Sequence, residues 1–150
     1  MRQILNSSTL LVPICCWAVV QVSKVLYHLL VAKKLDLRLL VSSGGMPSSH
    51  SALVCSLATA VAIREGIDSS AFAISVVLAF IVMYDAAGVR RAAGIQASIL
   101  NQMLDELFRG QPISEKHLRE LIGHTPFEVI VGAALGVLLT WLWMGGLLLT

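Results

Sequence analysis

The sequence predicts an all-α fold: a small transmembrane helical bundle of about four spans, with one amphipathic interfacial helix and short helical connections. Three observations predict it. The 150 residues are 57% hydrophobic and 13% charged, whereas a soluble domain carries about 25% charge. Mean hydropathy is +0.81. The apolar residues gather into runs near the ~20 residues a helix needs to cross a bilayer. No repeat or low-complexity linker divides the chain, so residues 1–150 are expected to form one integral membrane domain. The basic residues are few and not interleaved with aromatics, so no nucleic-acid partner is expected. Cys15, Cys16 and Cys55 lie in apolar runs without metal or disulfide spacing and read as structural thiols.

The first span covers Thr9 to Ala32, too long for a signal-peptide core. Gln21, Lys24 and His28, spaced i, i+3, i+7, share one helix face. A lysine within a span faces a bundle interior or polar cavity, or else snorkels toward the polar end at Lys33. The shared face favours an inward polar stripe. Lys33, Lys34, Asp36 and Arg38 then form a basic connection into Gly44-Gly45-Met46-Pro47-Ser48-Ser49-His50. The glycines free the backbone, and Pro47 presets the φ that opens a helix. Ser48, Ser49 and His50 are therefore expected in a first helical turn, where unpaired N–H groups suit an anion such as phosphate. A histidine there can move protons near neutral pH. The plainer alternative is a Gly-Pro turn with a serine cap and an incidental histidine.

The second span is expected from Ser48 to Ile63. Its apolar part, Ala52 to Ile63, covers only about 18 Å at 1.5 Å per residue, against a hydrocarbon core of about 30 Å. Either the helix dips in from a recessed start or its polar first turn is buried among other helices. Both options set Ser48, Ser49 and His50 below the membrane surface, lining a cavity. Arg64 to Asp68 is a tight polar turn. The third span starts near Ser70, is apolar through Met83, and continues as Tyr84-Asp85-Ala86-Ala87-Gly88-Val89-Arg90-Arg91-Ala92-Ala93-Gly94. Asp85 ends the membrane part, and Arg90 and Arg91 lie one to two turns further. An interfacial ion cluster with basic anchors is the alternative to a functional role for them.

From Ile95 to Arg109, Ile95, Ile99, Leu100, Met103, Leu104, Leu107 and Phe108 oppose Gln96, Asn101, Gln102, Asp105, Glu106 and Arg109. That is an amphipathic helix, lying on the membrane or over the bundle. Ser114 can cap a short helix from Glu115 to Ile122, with Gly123 at its C′ position. Thr125 as N-cap, Pro126 at N1 and Glu128 at N3 make a capping box. The last span runs from Val129 to about Leu149, with Gly132 and Gly136 as a small-xxx-small pair.

Basic residues concentrate in the first and third connections, which the positive-inside rule assigns to the cytoplasm. With alternating spans, the polar clusters at the end of span one, the start of two, the end of three and the start of four share one membrane side. His50, Asp85, Arg90, Arg91, His124 and Glu128 are therefore expected to converge. Two histidines, a carboxylate and fixed cations at one recessed mouth suit phosphoryl transfer. One histidine can attack phosphorus while a carboxylate orients its ring, and the other can handle protons. His124 and Glu128 stand i, i+4, but the capping box competes for Glu128, and the spacing leaves both roles open. No local metal motif is present, although His50, His124, Asp85 and Glu128 could supply ligands.

Pro47-Ser48-Ser49-His50 resembles the Pro-Ser-Gly-His motif of the type 2 phosphatidic acid phosphatase and vanadium haloperoxidase superfamily. His124-x-x-x-Glu128 resembles the end of its third motif. The strings at 44–52, 84–94 and 123–129 are similar to a smaller branch, the divergent type 2 phosphatidic acid phosphatase family, over nearly the whole chain. The resemblance implies His124 as nucleophile, Glu128 as its orienting acid and His50 as general acid/base. It implies Ser48 and Ser49 as phosphate ligands, with Lys24, Arg38 and Arg90 or Arg91 standing for the family's cations; Asp85 has no counterpart. It implies metal-independent hydrolysis without a cofactor, on a membrane lipid phosphate or pyrophosphate. Ser49 replaces the usual glycine, Glu128 the usual aspartate, and the first and third motifs are spread out. A bundle this small also invites a second copy, so a homodimer is expected as partner. A non-catalytic protein that binds an anionic headgroup or a partner protein on the same scaffold is the other reading.

Overall fold

The computed structural model describes residues 8–35, 37–40, 45–107 and 124–147. The expected short helix from Glu115 to Ile122 lies outside these residues. The regular structure of the described residues is all helical: α1 Ser8–Ala32, a 3₁₀ turn Leu37–Leu40, α2 Ser49–Glu65, α3 Ser70–Ala87, α4 Val89–Leu107 and α5 Pro126–Leu147. Among the described residues three helices, not the expected four, are long and apolar enough to cross a membrane: α1, α3 and, within α5, Pro126–Gly145.

α2 is the shortest of these helices and lies at the centre, packed on α1, α3 and α5. Its buried residues, Ser49, Ser51, Ala52, Val54, Ser56, Ala58, Ala60 and Val61, run round the helix rather than along one stripe. The surrounding helices carry the exposed large side chains, such as Ile14, Trp17 and Leu26 on α1, Ile74 and Phe80 on α3, and Ile130 and Trp141 on α5; α2 exposes none. This resolves the shortness of the second apolar run. A helix covered on all sides needs small residues for close approach, not lipid-soluble bulk.

The α2–α5 seam sets the frame. Ser48, Ala52, Ser56 and Ala60 repeat every four residues and are fully buried. Opposite them stand Gly132 and Gly136, where an added Cβ would fall on the carbonyls of Ser48 and Ala52. One turn further, the hydroxyls of Ser56 and Thr140 are hydrogen-bonded. The constant offset of 84 residues makes the two helices parallel. α1 runs antiparallel to α2: Lys24 meets Ser49 at one end, and Cys16 meets Ser56 further along.

Two expected boundaries move. Pro47 does not open α2. It precedes the N-cap, Ser48, whose hydroxyl accepts the Ser51 N–H and so sets the first turn at Ser49. The Met46–Pro47 peptide is cis, and Gly45 takes a φ of +88°, a conformation that favours glycine. The amphipathic helix begins at Val89, not Ile95. Gly88 ends α3 by donating to the Tyr84 carbonyl, and Ala92 N–H then bonds Gly88 O to start α4. Arg90 and Arg91 thus belong to the first turn of α4 rather than to an extension of the third span. Among the described elements α4 packs on α3 alone. Gly94 and Asn101 are buried, while Ile95, Ile99, Met103 and Leu107 point outward.

Candidate active site

The capping box at the start of α5 builds the centre of the site. Glu128 N–H donates to Thr125 Oγ1 at 3.3 Å, and Thr125 N–H donates back to Glu128 Oε2 at 3.0 Å. These reciprocal bonds satisfy two of the orphan donors at a helix start. His124 lies one residue ahead of the cap, outside the helix, and its Nδ1 stands 3.0 Å from the same Oε2. The roles that competed for Glu128 are therefore both filled, by one oxygen: the cap holds the carboxylate, and the carboxylate holds the ring.

A carboxylate only accepts, so the neutral ring carries its proton on Nδ1 and its lone pair on Nε2. His124 is 1% exposed, and Nε2 has no hydrogen-bond partner among the described residues. Its backbone is pinned from another helix, with His124 N–H donating to the Ala86 carbonyl at 3.2 Å. The residue is thus held at its backbone and at one ring nitrogen.

The start of α2 meets this cap directly. Ser48 N–H donates to the Glu128 carbonyl at 3.1 Å. The Ser48 hydroxyl receives both the N–H and the hydroxyl of Ser51. Ser49 is fully buried and accepts a bond from Lys24 Nζ at 3.1 Å. Lys24, 2% exposed, does not snorkel; it faces inward, where the Glu128 carboxylate attracts its ammonium. His50, half-buried, follows Ser49 in the same first turn.

Gln21 donates from Nε2 to the Leu40 carbonyl at 3.0 Å, tying the 3₁₀ turn that bears Arg38 to α1. His28 leaves the inward stripe and bonds the Lys34 carbonyl at the exit of α1. Asp85 is half-buried and adjoins Ala86, the residue that anchors His124. The side chains of Arg38, Arg90 and Arg91 lie outside the described residues. Among the described residues no three His, Cys, Asp or Glu side chains gather as a metal site. Sequence reasoning left out Thr125 and Ala86 as anchors of His124, and Gln21 as the tie on the Arg38 turn. The capping pattern already marked Thr125; Ala86 acts through a carbonyl that any residue carries and left no signal.

Residues 5–139 match the model of the divergent PAP2 family. "Uncharacterized membrane protein YuiD" of Bacillus subtilis (strain 168) is 42% identical over 149 residues, covering 92% of this chain and 94% of that protein. No solved structure matches.

Proposed function

Because this chain belongs to the divergent PAP2 family of membrane proteins, we propose that it is an integral membrane phosphatase that hydrolyses a lipid-linked phosphate or pyrophosphate through a phosphohistidine. One observation carries the reading: a buried histidine whose Nδ1 is held by Glu128 while Nε2 has no partner among the described residues, at the joined starts of two parallel helices. The Nε2 lone pair of His124 attacks phosphorus, the P–O bond to the lipid breaks, and His50 gives a proton to the departing oxygen. Water then attacks phosphorus as His50 takes its proton. The P–N bond breaks, phosphate leaves and His124 is restored. Lys24, held on Ser49, supplies fixed positive charge, with Arg38, Arg90 and Arg91 as further cations for the phosphoryl oxygens. Ser48 and Ser49 contribute the N-terminal turn of α2.

In this reading α2 is the fourth membrane-embedded helix, enclosed by the three apolar spans. The site faces the cytoplasm, because the connections that flank it carry most of the Lys and Arg. The test is phosphate release from a panel of lipid phosphates by the purified chain. Wild type is expected to release phosphate, and His124→Ala and His50→Ala to lose about 10²-fold or more. Release on no lipid, or release indifferent to both substitutions, overturns the proposal.

A further inference from the structure

α3 and α5 flank an apolar groove of about 360 Å³ that α2 closes from behind. Ala58, Thr59 and Ala62 form its floor, and Phe80, Met83 and Val137 its walls. Its polar groups are spent within the protein: Thr59 donates to the Cys55 carbonyl at 2.8 Å, and the Cys55 thiol meets the Met83 sulfur at 3.7 Å. Nothing in the groove asks for a polar ligand. Phe80 and Val137 are 66% and 47% exposed, so it opens sideways, toward the bilayer.

The Met83 end of the groove lies toward the candidate active site. Ala86, about one helical turn beyond Met83 on α3, accepts the bond from His124 N–H, which ties α3 to the residues just before α5. From Phe72 to Met83, α3 covers about 16 Å, close to half of the ~30 Å hydrocarbon core and so to the depth of one leaflet.

We infer that this groove receives one hydrocarbon chain of the lipid phosphate whose headgroup sits at His124. The inference rests on the phosphatase reading for the headgroup. The chain enters from the bilayer between Phe80 and Val137, with its first carbons under the Ala86–His124 link and its tail running toward Ala62. The groove supplies apolar contact for the chain, and the headgroup contact at His124 distinguishes a lipid phosphate from bulk bilayer lipid.

The test reads binding rather than turnover. The full chain is reconstituted in phosphatidylcholine vesicles with a phosphatidic acid whose acyl chain carries a photoactivatable diazirine. A second arm uses the matching diacylglycerol without phosphate. His124→Ala is run beside wild type to keep the probe intact. Labelling is expected on groove residues of α3 and α5, about tenfold stronger with the phosphorylated probe, as one charge-assisted headgroup contact provides. Ala62→Phe, which fills the floor, is expected to lower it about tenfold, the equivalent of two methylenes displaced. Val137→Trp blocks the mouth from an exposed position and serves if Ala62→Phe disturbs folding. Equal labelling by both probes, labelling confined to outer faces such as Ile14 or Ile81, or indifference to Val137→Trp overturns the inference. Groove labelling without phosphate release leaves the inference standing and removes the phosphatase. Release without preferential labelling does the reverse.

Discussion

Gly132→Ala tests the α2–α5 seam on which the site is assembled. The new Cβ would lie within 3.0 Å of the Ser48 carbonyl carbon and nearer still to its oxygen. That oxygen is backbone and is fixed by the first bond of α2, from Ala52 N–H at 3.1 Å. Relief requires the helices to part by about 1 Å, which forfeits a quarter to a half of the dispersion energy of each contact across the seam. The same movement stretches the 3.1 Å bond from Ser48 N–H to the Glu128 carbonyl past hydrogen-bonding range, worth about 1 kcal/mol. With an overpacking cost of about 1–3 kcal/mol, the total is about 2–4 kcal/mol. For a chain of this size that lowers the melting midpoint by roughly 5–15 °C. Gly136→Ala meets Ala52 in the same way, and one separation accommodates both substitutions, so the double variant should fall well short of the sum. Gly145→Ala is the control: an added Cβ there meets nothing within 4 Å, so it should be neutral or gain up to about 1 kcal/mol of helix propensity. The assay is thermal unfolding in detergent micelles, followed by circular dichroism. A midpoint for Gly132→Ala within about 2 °C of wild type, or additive losses in the double variant, would refute the close approach of these helices.

Three further outcomes follow from the site. Glu128→Gln keeps an amide oxygen that can accept from Thr125 N–H and His124 Nδ1–H but removes the negative charge beside the ring; phosphate release should fall about 10²-fold or more with little change in melting. Lys24→Met removes a buried cation and leaves Ser49 a hydroxyl free to rotate, so melting should hold or rise while phosphate release falls; equal losses in both would make Lys24 purely structural. A double-mutant cycle of Ser56→Ala and Thr140→Ala should give a coupling of about 1 kcal/mol in the same melts, and none would mean the two hydroxyls do not support each other.

Much of this molecule follows from local pattern. The number of the described α-helices, the amphipathic character of α4 and the capping box at Thr125 and Glu128 all depend on residues within a few positions of one another; of the four spans expected, three are long and apolar enough to cross a membrane, and α2 is not. The inward stripe was legible at Gln21 and Lys24 for the same reason: their spacing is a helical face. It failed at His28, where the helix is near its end and a free carbonyl at Lys34 offers a bond. The start of α4 was hidden because Gly88 reads equally well as a small packing residue or as a break.

Gly44 to His50 looked from sequence like a phosphate cradle in its own right. In the structure Ser48 is first a joint, with its hydroxyl capping α2 and its N–H bonded to the start of α5. Sequence alone determined that the polar ends share one side of a helical bundle and that Glu128 can cap. Tertiary structure decided which helices touch, that α2 is the enclosed one, and that one oxygen of Glu128 both caps α5 and orients His124. The reason is physical. Inside a membrane, helices pair by close approach of small residues, and Gly132 or Ser48 carries no mark of its partner. Contact across 84 residues belongs to the pair, and only the folded pair displays it.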